Sequence, residues 1–108
     1  MPALENLLDT WKSENKYSHD ALKKKDFLYF YIDQLPFDNT APIGRLYFTQ
    51  GKKDTVQLYN GELQLEAGPD SGSFTIVVNG TRIPVRDYSE NSFTADVPPY
   101  GEVIFKRG

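Results

Sequence analysis

The stretch Thr55-Val56-Gln57-Leu58-Tyr59-Asn60-Gly61-Glu62-Leu63-Gln64-Leu65-Glu66 decides how the fold is read. Apolar and polar side chains alternate on both sides of Asn60-Gly61, and a two-residue Asn-Gly loop favours the type I′ turn that matches the twist of paired strands. The reading is a hairpin in which Tyr59 opposes Glu62, Leu58 opposes Leu63, Gln57 opposes Gln64 and Val56 opposes Leu65. That register gathers Val56, Leu58, Leu63 and Leu65 on one face and leaves the polar residues on the other.

Downstream the same device recurs. Asn79-Gly80 separates Ser73-Phe74-Thr75-Ile76-Val77-Val78 from Thr81-Arg82-Ile83-Pro84-Val85, so that Phe74 meets Val85 and Ile76 meets Ile83. Pro84 has no donor for a ladder, which predicts an edge strand or a missing N–H that points outward. Ser92–Val97 and Glu102–Lys106 follow, joined by Pro98-Pro99-Tyr100-Gly101, with either a four-residue loop or a bulge between them.

Upstream, Phe27–Asp33 carries Phe27, Tyr29 and Tyr31 on one face and Leu28, Phe30 and Ile32 on the other, so both faces call for cover. The Pro-bounded segment Pro36–Pro42 and the Gln50-Gly51-Lys52-Lys53-Asp54 segment read as turns around Arg45–Thr49. Eight short strands with turn residues between them predict a mainly β chain, an antiparallel β-sandwich of immunoglobulin-like or jelly-roll-like form over residues 26–108.

Residues 1–25 read as an N-terminal arm. Leu4, Leu7, Leu8 and Trp11 form an i, i+3, i+4, i+7 stripe, predicting an amphipathic helix over 2–12, with a polar linker over 13–25. So short a helix is marginal in water, and its stripe needs a surface on this domain or on a neighbouring subunit.

The inventory limits the chemistry. The chain has 108 residues, no Cys and one His, which excludes disulfides, thiolate centres and multi-histidine metal sites. His19 lies in the polar linker with no fixed nucleophile beside it, and the carboxylate pairs Asp33 with Asp38 and Asp87 with Glu90 read as turn formers. Asp38-Asn39 and Asp70-Ser71-Gly72 lack the alternating ligands of a calcium loop. The expectation is a chain that is not an enzyme and has no catalytic residue, metal or cofactor. A net charge of −3 makes nucleic acid a poor partner, and no apolar run has the length of a membrane span. With no signal peptide at its start, the chain reads as made in a cytoplasm.

What remains is aromatic surface, 14% of the chain. Leu4, Leu7, Leu8, Trp11, Phe27, Tyr29, Tyr31, Tyr47 and Tyr59 are the candidate interface residues, because aromatic rings pack while tyrosine hydroxyls stay wet. The first expectation is a structural or assembly protein, a homo-oligomer or part of a larger assembly such as a phage or virus particle, in which the sandwich and its arm make the subunit contacts. Alternatives are a carbohydrate- or peptide-binding module using the tyrosines, and an acidic inhibitor or immunity-type protein.

Overall fold

The structure is a computed structural model and describes residues 4–33, 42–50 and 54–107; of Leu4, Glu5, Thr49, Gln50, Asp54 and Thr55 it describes only the backbone. A 3-10 turn, Leu4–Leu7, precedes β1 (Thr10–Tyr17), β2 (Asp26–Asp33), β3 (Ile43–Gln50), β4 (Asp54–Ala67), β5 (Phe74–Val78), β6 (Thr81–Arg86), β7 (Ser92–Val97) and β8 (Gly101–Arg107). Every strand is antiparallel to the next, and β8 pairs back onto β1, so the sheet closes into an eight-stranded barrel. The lower end carries the 3-10 turn and the start of β1; the upper end carries the β5–β6 and β7–β8 turns.

The sandwich expectation fails at three elements. The predicted helix over 2–12 is one 3-10 turn, and the predicted linker contains most of β1, whose Trp11, Lys12 and Ser13 pair with Arg107, Lys106 and Phe105 of β8. Closure removes the free edges that a two-layer sandwich would keep. The Leu7 and Trp11 spacing reflects neither a helix nor a docking stripe. Both residues are fully buried, one plugging the lower end and the other pointing inward from β1.

Asn60-Gly61 is the third failure. It lies inside the continuous strand β4, opposite Arg45 and Gly44, and neither residue has the positive φ that a type I′ turn requires. The change of inward phase between Val56 and Leu63, read as a hairpin, comes instead from a bulge. Gln57 faces Tyr47 and Tyr59 faces Leu46, which leaves Leu58 as the extra residue. The first part of β4 pairs with β3, and Leu63–Ala67 pairs with β5. At the handover Leu63 N donates to Pro42 O at 2.8 Å and Asn79 N donates to Glu62 O at 3.0 Å. A Cβ on Gly61 would lie 2.4 Å from Asn79 Cβ, so the glycine is there for close approach.

Asn79-Gly80 does turn, with φ of 49° and 81°, and the hairpin has the predicted register, Phe74 opposite Val85 and Ile76 opposite Ile83. Regular antiparallel alternation from the turn leaves Pro84 at a non-bonded position toward β5, so its missing donor faces β7. There the ladder is short, Val85 with Ala95 and Arg86 with Thr94. β7 and β8 join through Pro98-Pro99-Tyr100, with Val97 opposite Gly101. Most of the loop read over Pro36–Pro42 and the centre of the turn read over Gln50–Asp54 lie outside the described residues.

One core fills the barrel. Trp11, Phe30, Phe48, Phe74, Phe93 and Phe105 are its largest members, and Phe93 touches Trp11, Phe30 and Phe105 at centroid distances of 4.8, 6.1 and 5.3 Å. Eight strands enclose a space that side chains can fill, and here they do. Tyr17, Tyr100 and Phe48 close the upper end, with Tyr100 5.3 Å from Tyr17 and 5.9 Å from Phe48.

Candidate functional site on the outer face

Because β2 alternates, filling the barrel with Leu28, Phe30 and Ile32 sends Phe27, Tyr29, Tyr31 and Asp33 outward. A barrel wall is one layer thick, so the outer, aromatic face of β2 has no opposing sheet. Register then builds a grid across the neighbouring strands. One row runs Lys12, Tyr29, Tyr47, Gln57, and the next runs Thr10, Tyr31, Arg45, Asn60.

Tyr31, Asp33, Arg45, Tyr47 and Gln57 line a depression of about 330 Å³ on this face. The Tyr29 and Tyr47 rings are stacked, 17° from parallel with centroids 5.6 Å apart, and Tyr31 is 37% exposed. Burial, reinforced by the neighbouring Tyr29 and Tyr31, raises the Tyr47 hydroxyl above the ordinary phenol range, so it stays protonated at neutral pH and can donate a hydrogen bond.

Arg45 is the polar centre of the depression. Its Nη2 lies 3.6 Å from Asp33 Oδ2, too long for a good charge-assisted hydrogen bond, and its buried Nε has no acceptor. A guanidinium carries five donors in a planar fork, and this one leaves that capacity largely unspent.

Two cations extend the face toward β1. Lys12 Nζ sits 4.1 Å and Lys16 Nζ 5.3 Å from the centre of the Phe27 ring.

The nine predicted interface residues divide. Phe27, Tyr29, Tyr31 and Tyr47 come together on this face. Leu7 and Trp11 are inside the barrel, which corrects their reading as contact residues. Tyr59 packs against the core and donates from its hydroxyl to Pro98 O at 2.8 Å. Leu8 is 40% exposed, apart from the aromatic grid, and the Leu4 side chain lies outside the description.

Arg45, Gln57 and Lys12 were missed. Arg45 stands two residues before Tyr47 on one strand face, a signal legible in the sequence, whereas Lys12 joins the tyrosines only through its pairing with Tyr29 and Gln57 only through the register that the β4 bulge sets.

The other candidates form turns. Asp70 Oδ1 accepts from Gly72 N at 3.0 Å and from Ser73 Oγ at 3.1 Å, and His19 Nδ1 accepts from Ala21 N at 3.1 Å. Asp87 is exposed with φ of 55°, and Asp38 and Asn39 lie outside the described residues. Among the described residues no group of three or more His, Cys, Asp or Glu side chains is placed to hold a metal ion, and no helix is long and apolar enough to cross a membrane.

No protein-family model, curated protein or solved structure matches the chain.

Proposed function

We propose that the barrel is a non-enzymatic binding module that holds a carbohydrate against the outer face of β2, β3 and β4. The observation that carries this reading is the union, round one depression, of tyrosine rings with Arg45, Asp33 and Gln57. A sugar ring offers an apolar C–H face and a hydroxylated rim. Tyrosine rings suit the first, and a few convergent polar side chains suit the second. An extended peptide binds best by adding a strand to an exposed edge, whereas β2 and β3, which carry the tyrosines and Arg45, are each paired on both sides.

The test is a glycan array followed by calorimetry on wild type and Tyr31→Ala, a half-exposed position whose change leaves the core intact. Saccharide binding that weakens tenfold or more in the variant supports the reading. Absence of binding at millimolar saccharide, or binding indifferent to Tyr31→Ala, rejects it.

A second reading is self-association through the same face. The arm that first suggested assembly is taken up by its own barrel, but Tyr31 and Arg45 are residue types that anchor protein interfaces. Light scattering of wild type and Tyr31→Ala distinguishes the two. A dimer or larger species that dissociates in the variant favours assembly.

A further inference from the structure

Cations outnumber carboxylates on the proposed carbohydrate face, and the surplus points to a charge on the ligand. Lys12, Lys16 and Arg45 stand against Asp33, with the Glu14 carboxylate between the two lysines neutralised by Lys106 at 3.1 Å, a local excess of two positive charges on a chain whose net charge is −3. No carboxylate lies within ion-pair distance of Lys12 or Lys16 among the described residues. The other ion-paired cations of the barrel wall differ: Arg82, Arg86 and Lys106 each meet a glutamate within 3.1 Å. The Arg45 fork, with its loose 3.6 Å contact to Asp33 and its unpartnered Nε, is thus the least satisfied arginine among the described residues.

Resting on the carbohydrate reading, we infer that the ligand is an acidic saccharide, a uronate-bearing oligosaccharide. One carboxylate takes the Arg45 guanidinium in place of the loose Asp33 contact. The chain then crosses the Tyr47 and Tyr29 rings toward Lys12. The row Lys12, Tyr29, Tyr47, Gln57 runs perpendicular to the strands, so at a strand spacing of about 4.8 Å it spans roughly 14 Å. That length accommodates a short oligosaccharide, with Lys12 at one end of the row and Arg45 beside Tyr47 in the neighbouring row. A planar guanidinium receives a carboxylate through two parallel hydrogen bonds, which a neutral hydroxymethyl group cannot reproduce. An anionic nucleic acid is disfavoured by the overall negative charge, and an acidic peptide would find no free edge on β2 or β3, the strands that carry Tyr29, Tyr47 and Arg45.

The experiment titrates the full chain by calorimetry and by amide chemical shifts with an oligogalacturonate and with its carboxyl-reduced, neutral counterpart. The acidic form is expected to bind at least tenfold more tightly, with an advantage that shrinks as salt is raised. Arg45→Gln should abolish the advantage, and Lys12→Gln, at a surface position that does not endanger folding, should reduce it several-fold. Equal binding of the two forms overturns this inference while leaving the carbohydrate reading intact. Binding of neither form, together with an empty glycan array, overturns both. Preference for an acidic peptide such as oligoglutamate over the uronate also overturns the inference.

Discussion

Arg107 ties the lower end of the barrel together. Its Nη2 donates to Asn6 O at 2.8 Å, Nε donates to Glu90 O at 3.0 Å, Nη1 pairs with Asp9 Oδ2 at 2.9 Å, and the guanidinium lies 4.4 Å from the Trp11 ring centre. Hydrogen bonds to a charged group contribute about 1.5–3 kcal/mol in favourable settings and less when exposed, so Arg107→Ala should cost roughly 1–3 kcal/mol, read as a lower urea midpoint. The same contact, with the Thr10 N–H, holds the Asp9 carboxyl below the usual carboxylate range. A carboxyl lowered by folding stabilises above its unfolded pKa, about 3.9, and loses that contribution as pH falls through the folded value. Urea titrations should therefore find wild type more stable than Asp9→Asn at pH 7, with the gap closing below about pH 4. Ser13 is the residue that composition hides best. Buried in a polar stretch, its hydroxyl donates to Asn15 O at 2.6 Å and accepts from Leu28 N at 2.9 Å, where the β1–β2 register shifts. Ser13→Ala strands a buried N–H and should cost about 1–3 kcal/mol by chemical denaturation.

The two Asn-Gly pairs separate local preference from what an element does with it. Both dipeptides favour a turn, but only Asn79-Gly80 sits in the left-handed region. Asn60 occupies an extended strand position facing outward beside Arg45, so a β-branched residue should be accommodated there. Asn60→Val is expected to change stability by no more than about 0.5 kcal/mol, a surface effect, whereas Asn79→Val should cost roughly 1–2 kcal/mol from the positive φ. Equal losses in thermal melts would show that Asn60 turns after all. Gly61 explains why the dipeptide lies where it does. The strand passes so close to the β5–β6 turn that only a residue without Cβ fits. The short-range signal was therefore real, since glycine was required, but its cause was an approach from a residue 18 positions away rather than a local reversal. The Phe27–Asp33 alternation was fully legible, as was the second hairpin, because each depends on neighbours in sequence or on one tight turn.

At the scale of the molecule, the closing ladder between β1 and β8 joins the two ends of the chain, Trp11 to Arg107 and Ser13 to Phe105. A terminal arm of 25 residues would be dispensable, but removal of a barrel strand leaves two open edges and takes Trp11 and Leu7 out of the core. Deleting residues 1–25 should therefore abolish cooperative unfolding and collapse the dispersion of the native amide spectrum, and a truncated chain that still melts cooperatively would contradict the barrel. Trp11→Ala alone should cost about 3–5 kcal/mol, the usual loss for a large buried aromatic. Sequence by itself determined that the chain is β-rich and lacks the thiols and multiple imidazoles that many catalytic and metal centres use. It also determined that β2 has two apolar faces and that Asn79-Gly80 reverses the chain. All of these follow from composition or from contacts between near neighbours. Tertiary structure alone decided that the sheet closes, that β1 is a strand despite its polar run, that a bulge at Leu58 does the work assigned to a turn, and that Arg45 and Lys12 share a surface with Tyr29 and Tyr47. Each of those rests on a pairing between distant residues, whose free energy is gained only when the whole ring of strands is in place.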